Sequence, residues 1–186
     1  MILSLYLSLQ ILIKLIKLNN IKNILIISDT HQRSYNELHN EIKKQISNAN
    51  LVIHCGDITS VNVINGIKKN AKQSILVHGN SDSKEIRESL PMKKIFQIND
   101  ITFGVIHPYW GGPPPIDYEL ILNHFKNIKP QYILFGHTHD SHIEVYKGVT
   151  FINPGQGYSE FIIPASYCVI KMNKNQLSIK ITKILN

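Results

Sequence analysis

Short apolar runs stop repeatedly at small, acidic or imidazole side chains, and between the first of these runs the apolar spacing switches to that of helices. Ile24 to Ile27 is such a run, and residues 35–47 then carry Leu38, Ile42 and Ile46 at helical spacing, which predicts a strand followed by a helix. Residues 51–53 predict a second strand, 61–68 a short helix and 75–77 a third strand. Residues 94–98 and 101–106 read as a hairpin turning at Asn99-Asp100, 117–127 as a helix and 132–135 as a strand. From residue 143 the pattern is strand only: 143–146, 150–152, 166–172 and 177–181, with turns at Lys147-Gly148 and 173–175. An alternating α/β half followed by a β half predicts two packed sheets flanked by helices.

The polar clusters that end these runs are Ser28-Asp29-Thr30-His31, Cys55-Gly56-Asp57, Gly79-Asn80-Ser81-Asp82, His107 and Gly136-His137-Thr138-His139. They place candidate ligands at strand C-terminal ends, where open α/β sheets put their sites. In extended backbone, residues i and i+2 face one way, so Asp29 with His31 and His137 with His139 are expected to act as pincers. A lone carboxylate, Asp57, is able to give one oxygen to each of two cations about 3.5–4 Å apart. Together with Asn80 and His107 these make a ligand set for two divalent metals. Mixed imidazole and oxygen donors suit Mn, Fe, Ni or Zn better than Mg or Ca.

Each cluster alone has a plain explanation. Nine His in the chain make a chance His-x-His pair ordinary, Ser, Asp and Thr are good helix caps, and Gly-Asp and Gly-Asn-Ser-Asp are common turn sequences. Five of them in order, each after an apolar run, carry the argument. His54 and His78, at strand ends, are read as structural; His39, His124 and His142 as surface or helix-end residues. Asn153-Pro154-Gly155-Gln156-Gly157 lacks the third glycine and following helix of a dinucleotide site and is read as a loop.

The ordered set Asp-x-His, Gly-Asp, Gly-Asn-x-Asp, His and Gly-His-x-His resembles the calcineurin-like metallophosphoesterase superfamily, and within it the small single-domain phosphodiesterases of bacteria and archaea. The resemblance runs from about Ile21 to the C-terminus. It implies a four-layer α/β/β/α sandwich of two mixed sheets with a dinuclear metal site at the strand C-terminal ends. It also implies that one metal takes Asp29, His31, Asp57 and His139, the other Asp57, Asn80, His107 and His137, with Asp57 as the bridge. Two divalent ions, manganese first with Ni, Fe or Zn as alternatives, are the expected cofactors. The expected reaction is in-line attack of a metal-bridging hydroxide on a small phosphodiester, with Asn80 also bonding a phosphate oxygen. The alternatives are a phosphomonoesterase or nuclease of the same superfamily, or a metal-binding interaction scaffold on this fold.

Two departures from the family pattern bear on substrate. Ser81 stands where larger phosphatases carry a His that protonates the leaving oxygen. Tyr109, in His107-Pro108-Tyr109-Trp110, stands where a second His is usual, and is a candidate to stack on an ester or bond the leaving group, against a plain reading as part of a rigid loop. Apart from these, the Asn153-Pro154-Gly155-Gln156 loop resembles the Asn-Pro-Gly-Ser segment near the active site of these small phosphodiesterases, with Gln156 in place of the Ser.

Length, charge and cysteines bound the rest. At 186 residues and 43% hydrophobic the chain fits one domain with a sizeable core. The net charge of +7 comes from scattered lysines, without a run of five or aromatic interleaving, so there is no specific nucleic-acid motif. Cys55 and Cys168 have no metal or disulfide spacing and are expected as free thiols in a reducing compartment, which places the protein in the cytoplasm. Residues 1–20 are an apolar leader, read as a start-site extension, a packed helix or a weak anchor, and 21–186 as the metallophosphoesterase domain. Membrane contact is expected only if the leader is real; a homo-oligomer is left open.

Overall fold

In the computed structural model, residues 16–108, 116–160, 163–173 and 176–185 are described. The order is β1 (Ile16–Leu18), β2 (Asn23–Ile27), a 3-10 turn (Tyr35–Glu37), α1 (Asn40–Asn48), β3 (Leu51–His54), α2 (Val61–Asn70), β4 (Ser74–Leu76), α3 (Lys84–Ser89), β5 (Lys93–Ile98), β6 (Ile101–Ile106), α4 (Tyr118–Asn123), β7 (Tyr132–Phe135), β8 (His142–Tyr146), β9 (Val149–Asn153), β10 (Ser166–Asn173) and β11 (Gln176–Lys183). One sheet runs β11-β10-β2-β3-β4 and the other β1-β5-β6-β7-β9-β8. Both are mixed. β2-β3-β4 and β6-β7-β9 are parallel, while β10 and β11, the β5–β6 hairpin and the β8–β9 pair are antiparallel.

Alternation along the strands builds the layers. Ile24 and Ile26 of β2 face the second sheet, meeting Phe96, Phe103, Val105, Leu134 and Ile152 between the sheets. Leu25 and Ile27 face the other way, onto Leu38, Ile42 and Ile46 around α1 and Val63, Ile64 and Ile67 of α2. On the outer face of the second sheet, Ile133 and Phe135 pack on Ile121 and Phe125 at α4. Strands buried on both faces read as continuous apolar runs, which is why the sequence shows them so clearly. The result is the expected α/β/β/α sandwich.

Several boundaries moved for local reasons. The expected 35–47 helix is a 3-10 turn and then α1, which begins at Asn40 because His39 Nδ1 accepts the Glu41 N–H at 3.1 Å and caps it. The expected 117–127 helix is α-helical only over Tyr118–Asn123 and tightens afterwards, with Phe125 N–H on Leu122 O and Ile128 N–H on Phe125 O, ahead of Lys129 at φ 51° and Pro130. α3, capped by Ser83, had no expectation at all. Ile16–Leu18, within the expected leader, pairs in parallel with Phe96 to Ile98 of β5. Among the described residues no helix is long and apolar enough to cross a membrane.

Candidate metal centre

The loops after β2, β3, β4, β6 and β7 converge, and the backbone that brings them together is not extended. Asp29, His31, Asp57, His137 and His139 have φ of 49°, 46°, 54°, 84° and 59°. The expected pincers are therefore formed differently: β2 ends at Ile27 and β7 at Phe135, and each pair sits in a loop with left-handed residues at both of its ligand positions. Asp and His tolerate this region better than most side chains, yet each non-glycine there costs about 1–3 kcal/mol, which the packed loops must offset.

The ligand atoms gather closely. Asp29 Oδ1 lies 3.4 Å from His139 Nε2, 3.9 Å from His107 Nε2 and 4.0 Å from His31 Nε2. Asp57 Oδ2 lies 3.5 Å from His107 Nε2 and 3.7 Å from His31 Nε2. On the far side, His137 Nδ1 is 3.1 Å from Asn80 Oδ1, and the His137 ring stands edge-on to His107 at 5.3 Å. Among the described residues, two groups qualify geometrically as cation sites, Asp29-His31-His139 and Asp29-Asp57-His107. Asp29 is common to both, while Asp57 Oδ2 reaches toward a His of each.

Asp29 Oδ1, His31 Nε2 and His107 Nε2 are buried and find no hydrogen-bond partner among the described residues. Burying polar atoms without partners is costly, and three orphans facing one another fit the donor set of a metal site. The charges agree. Burial opposes ionisation of Asp29 and Asp57, but contacts with His139 and His107 and the charge on His107 outweigh it for Asp29, and His107 with Ser81 does so for Asp57, so both carboxyls stay below their ordinary range. His139 is raised by its contact with Asp29; His107 is raised despite burial by Asp57 and Asp29.

The surrounding hydrogen bonds aim the donors. His107 Nδ1 donates to Cys55 O at 2.8 Å, leaving the Nε2 lone pair toward the carboxylates. Asp57 Oδ1 accepts the Ser81 N–H at 2.8 Å and Oδ2 accepts the Ser81 hydroxyl at 2.7 Å. Asp29 Oδ2 accepts the His137 N–H at 3.1 Å. Asp82, a buried turn residue by its sequence, accepts three backbone N–H groups: Thr59 on Oδ1 at 2.6 Å, Gly79 and Asp57 on Oδ2 at 2.7 and 3.1 Å. Gly79 and Gly136 are required by close approach, since a Cβ at Gly79 would strike Asp57 Oδ1 and one at Gly136 the Ser28 hydroxyl.

His54 has the structural role expected of it. Its Nδ1 accepts the Gly56 N–H at 3.2 Å, so Nε2 carries the proton and donates to Thr30 Oγ1 at 3.0 Å. Burial pushes its pKa down to about 3, below the 6.5 of the unfolded chain. Its stabilising share is present above pH 6.5 and is lost as pH falls through that value toward 3, about 2 kcal/mol by pH 5. Urea titrations at pH 7 and pH 5 should show that share missing from His54→Gln; equal slopes for wild type and variant would refute it.

Of the seven expected ligands, all are brought to this one locus. Tyr109 and Trp110 lie outside the described residues. Three participants were not foreseen: Asp82; Gln156, whose Oε1 is 3.1 Å from His139 Nδ1; and Tyr158, whose ring stands edge-on to His31 and His139 at 5.6 and 6.1 Å. The one available signal was Gln156 in a family segment that ordinarily carries Ser.

The sequence profile of the calcineurin-like phosphoesterase superfamily domain matches residues 23–175. The chain belongs to that superfamily. A probable metallophosphoesterase of Methanocaldococcus jannaschii is 36% identical over 132 residues, 70% of this chain and 65% of that protein, so the match spans just under two thirds of the relative's length. A phosphodiesterase of the same organism is 29% identical, covering 70% of this chain and 81% of its own. Among solved structures, a Thermotoga maritima protein superposes with TM-score 0.71 at 32% identity, over 88% of this chain and all of that one. Vps29 of Entamoeba histolytica, solved with zinc, superposes with TM-score 0.68 over 87% and 98%; at 18% identity it shows a shared fold.

Proposed function

We propose that this chain is a metal-dependent phosphodiesterase acting on small phosphodiesters. The observation that carries the reading is the set of three buried atoms without a partner among the described residues, Asp29 Oδ1, His31 Nε2 and His107 Nε2, amid seven candidate ligand side chains. The donor chemistry fits two divalent ions, with manganese first and nickel, iron or zinc as alternatives. Asp29, His31, Asp57 and His139 would hold one, and Asp57, Asn80, His107 and His137 the other. When bound, such ions supply an activated water as nucleophile and neutralise the charge on phosphate oxygens.

The chain's own residues do the rest. Asp57, held on both oxygens by Ser81, presents a fixed carboxylate to the locus. Asn80 Nδ2, 3.3 Å from Ser81 Oγ, belongs to an exposed amide that is free to turn its N–H toward a phosphate oxygen. Ser81 donates its hydroxyl proton to Asp57 and is not poised to protonate a leaving group, so esters with good leaving groups should react best. Tyr109 is the candidate to bond the leaving oxygen. Free, buried Cys55 and Cys168 support a reducing compartment such as the cytoplasm.

The test uses protein stripped with chelator and reloaded with manganese, assayed on a chromogenic phosphodiester, the matching monoester, and single-stranded RNA and DNA. Diester hydrolysis that vanishes on chelation and returns with metal is the expected result. Preference for the monoester or for polynucleotide would replace the substrate class. Metal uptake without hydrolysis of any of the four would overturn the enzymatic reading in favour of a scaffold.

A further inference from the structure

Gln156 is almost fully buried at the end of the Asn153-Pro154-Gly155 turn, and every group around it is held in place. Its main-chain carbonyl accepts the Ser166 N–H at 2.8 Å. The next N–H, of Gly157, bonds the Ser28 and Asp29 carbonyls at 2.9 and 3.1 Å, tying this loop to the one that carries the first ligand pair. Asn153, also buried, accepts the Gly155 N–H on Oδ1 at 2.9 Å and donates from Nδ2 to Thr138 Oγ1 at 2.9 Å, between the two ligand histidines. The turn is thus a brace against Gly136-His137-Thr138-His139.

The side chain of Gln156 has one consistent orientation. Its Nε2 lies 2.8 Å from the Tyr158 carbonyl, an acceptor only, so the amide nitrogen must point there and Oε1 must face His139. An amide oxygen accepts only, so the His139 nitrogen 3.1 Å away, Nδ1, must carry the proton. That leaves the Nε2 lone pair directed at the locus, where Asp29 Oδ1 is 3.4 Å distant.

We infer that Gln156 is a positioning residue for the metal centre: by accepting the Nδ1 proton of His139 it fixes the tautomer and ring direction in which Nε2 serves as a ligand. The inference rests on the metal-binding reading above. A neutral amide orients the ring as a carboxylate would, while adding no charge to a centre that already holds Asp29 and Asp57. Loss of such a partner commonly weakens metal binding about 10- to 100-fold.

Zinc, being diamagnetic, is the probe. Zinc affinity would be measured by competition with a chromogenic chelator for wild type, Gln156→Leu and Gln156→Glu, alongside 15N NMR of the histidine rings in the loaded proteins. Gln156→Leu should bind zinc about 10- to 100-fold more weakly. Gln156→Glu keeps the acceptor for His139 but cannot donate to the Tyr158 carbonyl, so it should recover wild-type affinity to within a few-fold and show His139 protonated at Nδ1 and metallated at Nε2. If Gln156 merely braced the loop through Tyr158, Gln156→Glu would fail as badly as Gln156→Leu, and the inference is overturned. Wild-type affinity in Gln156→Leu, or zinc on His139 Nδ1 in the wild type, overturns it too. Should Gln156→Leu not fold, Gln156→Glu and the wild-type spectrum still decide. Failure of the wild type to take up zinc would instead remove the metal-binding reading itself.

Discussion

Asp57→Asn is expected to lower kcat/KM on a chromogenic diester by about 10³-fold or more at saturating manganese. Asp57 Oδ2 lies within 3.7 Å of both His31 and His107, so this one carboxylate serves both halves of the centre. The amide removes one of the centre's two carboxylate charges and one strong acceptor, and a cation left to Asp29 and the imidazoles loses much of its electrostatic hold. The fold should survive, because the amide oxygen can still accept the Ser81 N–H that now binds Oδ1 at 2.8 Å. Metal content per chain, circular dichroism and steady-state kinetics on the same preparation check the prediction. A variant with full metal content and a wild-type rate would exclude Asp57 from the reaction.

Asp82→Ala should be the most destabilising single change near the site, by about 3–5 kcal/mol. Its two oxygens accept the N–H groups of Thr59, Gly79 and Asp57 in a place where water does not reach, and alanine would leave all three donors without partners. Each lost bond to a charged acceptor is worth about 1.5–3 kcal/mol, and three sharing one carboxylate sum to less than three independent ones. Urea unfolding in the presence of chelator isolates this term from metal linkage. Asp82→Asn, which keeps one acceptor, should lose less than half as much. A shift below 1 kcal/mol for Asp82→Ala would show that the three N–H groups find other partners.

Asp82 also shows where sequence reasoning ran out. In Gly79-Asn80-Ser81-Asp82 the chain gives no sign of which polar side chain faces the locus and which turns back to hold the backbone, because turn vocabulary serves both purposes. Asn80, a candidate ligand by its sequence, stands against His137, while Asp82, to which the sequence assigns no role, holds the Asp57 and Asn80 loops together. Ser81 was read as a missing proton donor, whereas its hydroxyl and N–H both secure Asp57. The extended backbone expected of the Asp29-His31 and His137-His139 pairs is not the one they adopt: all four are left-handed loop residues, a backbone state that residue identity permits without announcing.

The strands buried on two faces declared themselves, since an uninterrupted apolar run such as Ile24 to Ile27 leaves few other solutions. α3 did not, because six residues carry too little periodicity to register, and neither did β1, whose three residues are defined by pairing with β5.

By itself the sequence determined the layer order and the chemical identity of the seven candidate ligands, because burial pattern and donor type are properties of residues taken one at a time or in short runs. Tertiary structure alone decided which donors are left without partners, which nitrogen of His139 and His107 faces the locus, and which loops brace the ligands. Those depend on contacts such as Cys55 with His107, Gln156 with His139 and Asp82 with Thr59, made between segments whose separation along the chain carries no information about their distance in space.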